Sequence, residues 1–247
     1  MRRAASIGRC DRVDALRGLA VVWMAGFHLC FDLNHFRLLD TVYNFHRDPL
    51  WTTQRTFIVS GFLLCAGLGQ ALALHGGSGW PRLTPAFWRR WAQVAGCALA
   101  VSAGSALVFP RSFIFFGVLH ALALMLVLAR LLAPLRAALW PLALAVLVLP
   151  ALWRHPAFNA PWLSWTGLVT HKPVTEDYVP LLPWFGVLLA GLAAGQWVLA
   201  NRRHWVAGGV PRTLAPLAVL GRWSLSFYMV HQPVFFGVLT AWTALRR

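Results

Sequence analysis

Charged side chains are scarce in this chain, at 12% of residues, and acidic ones scarcer still, at 7 against 22 basic. A soluble domain carries about a quarter charged residues. The deficit, with a mean hydropathy of +0.62 over 247 residues, excludes a separate soluble domain of ordinary size. Cysteine is equally sparse. Cys10, Cys30, Cys65 and Cys97 form no C-x-x-C pair, and three of them lie in apolar segments. They read as small buried hydrophobes rather than a disulfide or redox framework. No Walker loop, dinucleotide fingerprint or serine elbow is present, which removes the motif-bearing nucleotide and hydrolase classes. No internal repeat or low-complexity tract stands out.

What the chain has instead is long apolar runs. A membrane helix needs roughly 20 mostly apolar residues. Seven runs approach that length: Val13–Phe31, Thr56–Leu74, Phe87–Phe109, Phe113–Leu132, Leu135–Trp153, Leu181–Ala200 and Leu214–Thr240. The sequence therefore predicts an all-α, polytopic membrane helix bundle of about seven transmembrane helices, spanning residues 1–247 as one domain. The last run holds Pro216, Gly221 and Pro233, so it is expected to kink or to break in two, making eight helices.

The net charge of +15 does not point to nucleic acid, because no basic stripe alternates with aromatics over a recognisable module. The arginines sit in short groups between runs. Arg2, Arg3, Arg9, Arg12 and Arg17 open the first, and Arg82, Arg89 and Arg90 precede the third. Arg130 and Arg136 follow the fourth, and Arg202, Arg203 and Arg212 follow the sixth. With seven alternating spans these groups fall on one side, which the positive-inside rule makes cytoplasmic. Asp32, Asp40, Asp48, Glu176 and Asp177 fall on the other side. Arg246 and Arg247 run against the pattern. Trp51, Trp80, Trp153, Trp162, Trp165, Trp205 and Trp242 cluster at run ends, as interfacial anchors do. The longest connectors, 32–55 and 154–180, are both expected on the outer side, where they can frame a polar vestibule. The sequence is also compatible with a homo-oligomer in the bilayer.

Ionisable residues inside membrane segments are costly and hence informative. The first run places Arg17 and His28 eleven residues apart. At 100° per residue the two return to within about 20° of one stripe, roughly 16 Å apart along the axis. Asp32 follows His28 at i+4, a neighbouring position on a helix. A carboxylate there can fix the imidazole tautomer of a general base, or simply end the helix. Asp14 and Arg17, at i and i+3, can pair with each other, or Arg17 can reach lipid phosphates. His120 and His231 lie in apolar surroundings and suit either structural hydrogen bonds or a shared cavity. No pair of histidines has i, i+4 ligand spacing with an accompanying Glu, so no metal site is expected. Asn34, His35, Asn44, His46 and Asp48 enrich the first outer connector.

These residues fall into a known order. Asp14-Ala-Leu-Arg-Gly-Leu-Ala, Phe27-His28 and Phe31-Asp32-Leu-Asn34 resemble the opening of bacterial proteins related to the catalytic domain of heparan-α-glucosaminide N-acetyltransferase. The resemblance continues through Ser60-Gly61-Phe62, Phe116-Gly-Val-Leu-His120 and Pro180-Leu-Leu-Pro-Trp-Phe-Gly186. It closes with Gly221-Arg-Trp-Ser-Leu-Ser-Phe-Tyr-Met-Val-His231-Gln-Pro233, and so covers almost the whole chain. The Arg17–His28 spacing also resembles the acyltransferase-3 signature.

The resemblance implies a bacterial inner-membrane acetyltransferase with a cytoplasmic N-terminus. It would move an acetyl group from acetyl-CoA, as co-substrate, to a glycan or sugar acceptor beyond the bilayer. In the acyltransferase-3 pattern the Arg and His are both needed, which maps onto Arg17 and His28; with Asp32 beside it at i+4, His28 and Asp32 are the expected catalytic pair. Arg17, Arg89 and Arg90 would hold acyl-CoA, with Asn34, His35, His120 and His231 about the cavity. In the heparan-modifying enzymes the key histidine lies further along the first outer loop, so His35 or His46 is the competing assignment. A proton-coupled carrier is the non-enzymatic alternative; the lack of an internal repeat counts against it.

Overall fold

The computed structural model describes residues 10–45, 47–75 and 83–246, and within them every regular element is helical apart from one isolated β-bridge. The α-helices are α1 (Asp11–His35), α2 (Pro49–Leu74), α3 (Pro85–Val108), α4 (Val118–Leu132), α5 (Leu139–Leu152), α6 (Leu181–Asn201), α7 (Ala215–Arg222) and α8 (Ser224–Leu245). Five helical stretches are long and apolar enough to cross a bilayer: α1, α2, α3, residues 118–152 and α6. This is the expected helical membrane bundle. The 35-residue stretch holds two helices, α4 and α5, which meet at the 3-10 turn Ala133–Ala138, so the fourth and fifth runs form separate helices as expected. Arg136 breaks the turn at φ 49°. The last run divides at Trp223 into α7 and α8, and the polar trio His231-Gln232-Pro233 dilutes the apolar character of α8.

Local chemistry sets the helix ends. Thr84 caps α3 by accepting from Phe87 N–H, and Pro85 follows at the first helical position, where its missing N–H is no loss. Asp48 accepts from Leu50 N–H, so α2 begins at Pro49, seven residues before the apolar run suggests. At α4 the first N–H groups are taken by side chains: Val118 N–H donates to Asp177 Oδ2 at 2.8 Å and Gly117 N–H to His120 Nδ1 at 3.3 Å.

The chain divides into two compact units. Among the described residues, one lies within Leu63–Ala207; the other comprises Cys10–Phe62 with the chain from Gly208 onward. In the first, α5 packs along α6, and Gly67, Gly191 and Gly195 bring α2 and α6 together. A Cβ at Gly67 would run into the Leu188 carbonyl, and one at Gly191 into that of Leu64. Such small-residue seams are how membrane helices associate without a hydrophobic driving force. In the second unit, α1 packs on α7 and α8. Gly18 lies against the backbone of Leu217, and Gly221 against that of Asp14, so α7 runs in the opposite sense to α1. Met24, Phe27, Phe45 and Ile58 form this unit's core, with Trp51 stacked on Phe45 at 4.0 Å. Trp51 thus packs against this core, whereas Trp162 is 73% exposed.

Candidate functional site

The site grows from the meeting of α1 and α8. His28 on α1 is partly buried and faces His231 on α8, which is 5% exposed. The imidazoles stack at 5.0 Å and share one hydrogen bond, His28 Nδ1 to His231 Nε2, at 2.7 Å. Phe227 stacks on the other ring edge of His231 at 5.6 Å, and Phe235 meets it edge-on.

The acceptors around His231 fix the proton positions. His231 Nδ1 lies 2.8 Å from the Tyr228 carbonyl and 3.2 Å from that of Phe227. Carbonyls only accept, so His231 Nδ1 carries hydrogen. In neutral His231, Nε2 is then the lone-pair nitrogen and accepts from His28 Nδ1–H. That leaves His28 Nε2 as a lone pair. Among the described residues this nitrogen makes no hydrogen bond. The backbone of α8 thus dictates, through His231, which nitrogen of His28 is basic.

The carboxylate expected to orient His28 directly takes another partner. Asp32 is fully buried and accepts from Gln232 Nε2 at Oδ1, 2.8 Å away; among the described residues it has no bond to His28. Asp32 Oδ2 and Gln232 Oε1 are buried without a donor. The physical reason is register: α8 runs beside α1 in the same sense, so consecutive His231 and Gln232 meet His28 and Asp32 one turn apart. Asp32 therefore meets the residue next to His231 rather than His28 itself.

The other candidates separate into three groups. Arg17, at the far end of α1, pairs with Asp14 at 2.9 Å, and Arg222 of α7 bonds Asp11 at 2.6 Å and approaches Asp14 at 3.8 Å. Arg17 thus belongs to a charged cluster at the α1–α7 seam. Asn34 pins the following loop by exchanging hydrogen bonds with the Tyr43 backbone, at 3.0 and 2.8 Å. His35 is exposed, with its ring against Phe36 and Phe236. Asn34 and His35 line an open groove of about 330 Å³ with Phe31, Tyr43, Asn44 and Phe45. His46 lies outside the described residues.

In the Leu63–Ala207 unit, His120 has both nitrogens engaged: Nδ1 accepts from Gly117 and Nε2 donates to Ser102 Oγ at 3.0 Å. Ser102 Oγ in turn donates to the Ile114 carbonyl at 2.6 Å. His120 thus helps cap the start of α4. Arg89 and Arg90 are exposed in the first turns of α3, with Arg90 donating to Gln93.

Single-helix reasoning names His231 among the cavity candidates but misses two pairings: His231 with His28, and Gln232 with Asp32. The one signal for them is two adjacent polar side chains inside an otherwise apolar helix.

A sequence model of the family described as "Heparan-alpha-glucosaminide N-acetyltransferase, catalytic" matches residues 9–233, a stretch that includes both histidines of the pair. No curated protein and no solved structure matches the chain.

Proposed function

Because the chain belongs to the heparan-alpha-glucosaminide N-acetyltransferase catalytic family, a family of membrane acetyltransferases, we propose that it transfers an acetyl group from acetyl-CoA to an amino or hydroxyl group of a sugar. The observation that carries this reading is the His28–His231 pair, which leaves the lone pair of His28 Nε2 without a hydrogen-bond partner among the described residues, at a defined place in an apolar helix pair. General bases with an oriented tautomer contribute about 10²–10⁴ in rate.

In the reaction we assign, His28 Nε2 takes the proton of the acceptor N–H or O–H as that atom attacks the thioester carbonyl. The new C–N or C–O bond forms, the C–S bond breaks, and His28 returns the proton to the departing thiolate sulfur. His231 stabilises the transient imidazolium by orientation, and Asp32, through Gln232, keeps α8 in register. An acetyl-histidine route would use the same nitrogen as nucleophile. The groove lined by Asn34 and His35 offers aromatic rings and amides to the acceptor. Arg17 is assigned to the phosphates of acetyl-CoA, and the roughly 16 Å between Arg17 and His28 along α1 suits the extended pantetheine arm. We place the N-terminus in the cytoplasm of a bacterium and the acceptor beyond its inner membrane.

Purified protein in detergent should release CoA from acetyl-CoA when given glucosamine, with one acetylated product per CoA. Solute transport into vesicles without CoA release would favour the carrier reading and overturn this one.

A further inference from the structure

Two aspartates of α1 are buried, and their surroundings treat them differently. Asp14 is 7% exposed and meets two guanidiniums, that of Arg17 at 2.9 Å and that of Arg222 at 3.8 Å. Asp32 is 0% exposed, and among the described residues no ion pair reaches it. Its carboxyl has one hydrogen bond, from the neutral side chain of Gln232, whose Nε2 donates to Oδ1 at 2.8 Å. The other half of each group is stranded: Asp32 Oδ2 and Gln232 Oε1 are both buried without a donor.

The neighbouring titratable groups supply no replacement. His28, one turn earlier on α1, uses Nδ1 on His231. His231, beside Gln232 on α8, has Nδ1 against the Tyr228 and Phe227 carbonyls. His35, three residues further on, is exposed, with its ring against Phe36 and Phe236. Among the described residues none of the three bonds the Asp32 carboxyl.

An ionised carboxyl offers about four acceptor sites and needs several donors once it leaves water. With a single amide N–H in an apolar helix pair, ionised Asp32 would be a buried charge beside a second bare acceptor. One proton answers both. A carboxylic acid and a primary amide match edge to edge, an N–H···O bond alongside an O–H···O bond, and the first of these is the 2.8 Å bond already in place. We propose that Asp32 is a proton-binding site: its carboxyl is held neutral, and Oδ2–H donates to Gln232 Oε1. The pair then joins α1 to α8 through two hydrogen bonds and no net charge, the arrangement a low-dielectric interior favours. This stands on the α1–α8 geometry and not on the acetyl-transfer reading.

The test is infrared spectroscopy of the full chain in detergent at pH 5, where about nine-tenths of an ordinary aspartate is ionised. The spectrum of D32N is subtracted from that of wild type, with and without carbon-13-labelled aspartate. A protonated-carboxyl C=O band that shifts with the label is expected in wild type and should be lost in D32N. D40N, a change at an exposed side chain, should keep it. A difference spectrum holding only ionised-carboxylate bands would overturn the proposal and make bound water the missing donor. Thermal midpoints at the same pH give a second reading. Asparagine offers an acceptor and a donor at the same two places, so D32N should melt within about 2 °C of wild type. D32L strips both partners from Gln232 and should melt roughly 5 °C lower. A D32N midpoint as low as that of D32L, or a D32L midpoint equal to that of wild type, would contradict the neutral pair. Neither reading uses turnover, so a failure here is distinct from a failure of acetyl transfer.

Discussion

Replacing His231 isolates the relay that sets the basic nitrogen of His28. With leucine at 231, Nδ1–H of His28 loses its acceptor at 2.7 Å, and neither tautomer nor ring orientation is then dictated by α8. Outer-shell partners that orient a functional imidazole are typically worth 10–100-fold, which corresponds to about 1.4–2.7 kcal/mol of barrier. The expected result is a fall of that size in kcat for acetyl transfer, with KM for acetyl-CoA within about twofold. His231→Gln supplies an amide oxygen that can accept from Nδ1–H, so it should recover part of the rate. Because His231 acts through His28, the double variant H28A/H231L should be no slower than H28A alone. Followed by CoA thiol release in detergent, the four proteins complete a cycle. Additive losses, or a His231→Leu protein with unchanged kcat, would show that the pair is packing and not a relay.

Other parts of the structure yield their own tests. Gly18→Ala places a methyl in the Leu217 backbone at the α1–α7 seam and should cost about 1–3 kcal/mol, read as a fall in thermal midpoint; an unchanged midpoint would mean the seam is looser than it looks. His120→Ala should lower stability by about 1–3 kcal/mol by orphaning the Gly117 N–H, while leaving kcat unchanged; a selective loss of kcat would place His120 in the cavity. Burial pushes the Tyr178 hydroxyl up to about 12, from 10. The folded state therefore holds this proton more tightly, and its contribution, complete below pH 10, should fade as pH rises toward 12. Denaturation of wild type and Tyr178→Phe from pH 9 to 11.5 should show their stability difference shifting against the wild type by about 2 kcal/mol; parallel curves would contradict this.

The membrane bundle was legible in the apolar runs because a bilayer demands length and low charge, both properties of contiguous sequence. The ends of α3 and α6 fall within two residues of their runs for the same reason. What composition hides is where a helix turns. The turn between α4 and α5 falls at Arg136, and the α7–α8 break falls at Trp223, with neither proline of that run at the break. The site was half legible. Periodicity along α1 singled out His28 and Asp32, but periodicity within one helix says nothing about the partner brought across from 203 residues away. Hence Asp32 was expected on His28 and is found on Gln232. His120 looked like a membrane-buried histidine of interest; its two bonds are to a helix end and a serine, partners that no pattern in the apolar run discloses.

The measurement that bears most directly on the catalytic reading is made on His28→Ala, with acetyl-CoA binding and acetyl transfer followed in one preparation. Binding should persist within about threefold, while transfer to glucosamine falls by about 10²–10⁴. A His28→Ala protein that still transfers acetyl groups at a comparable rate would remove His28 from the chemistry and return the search to His35 and His46.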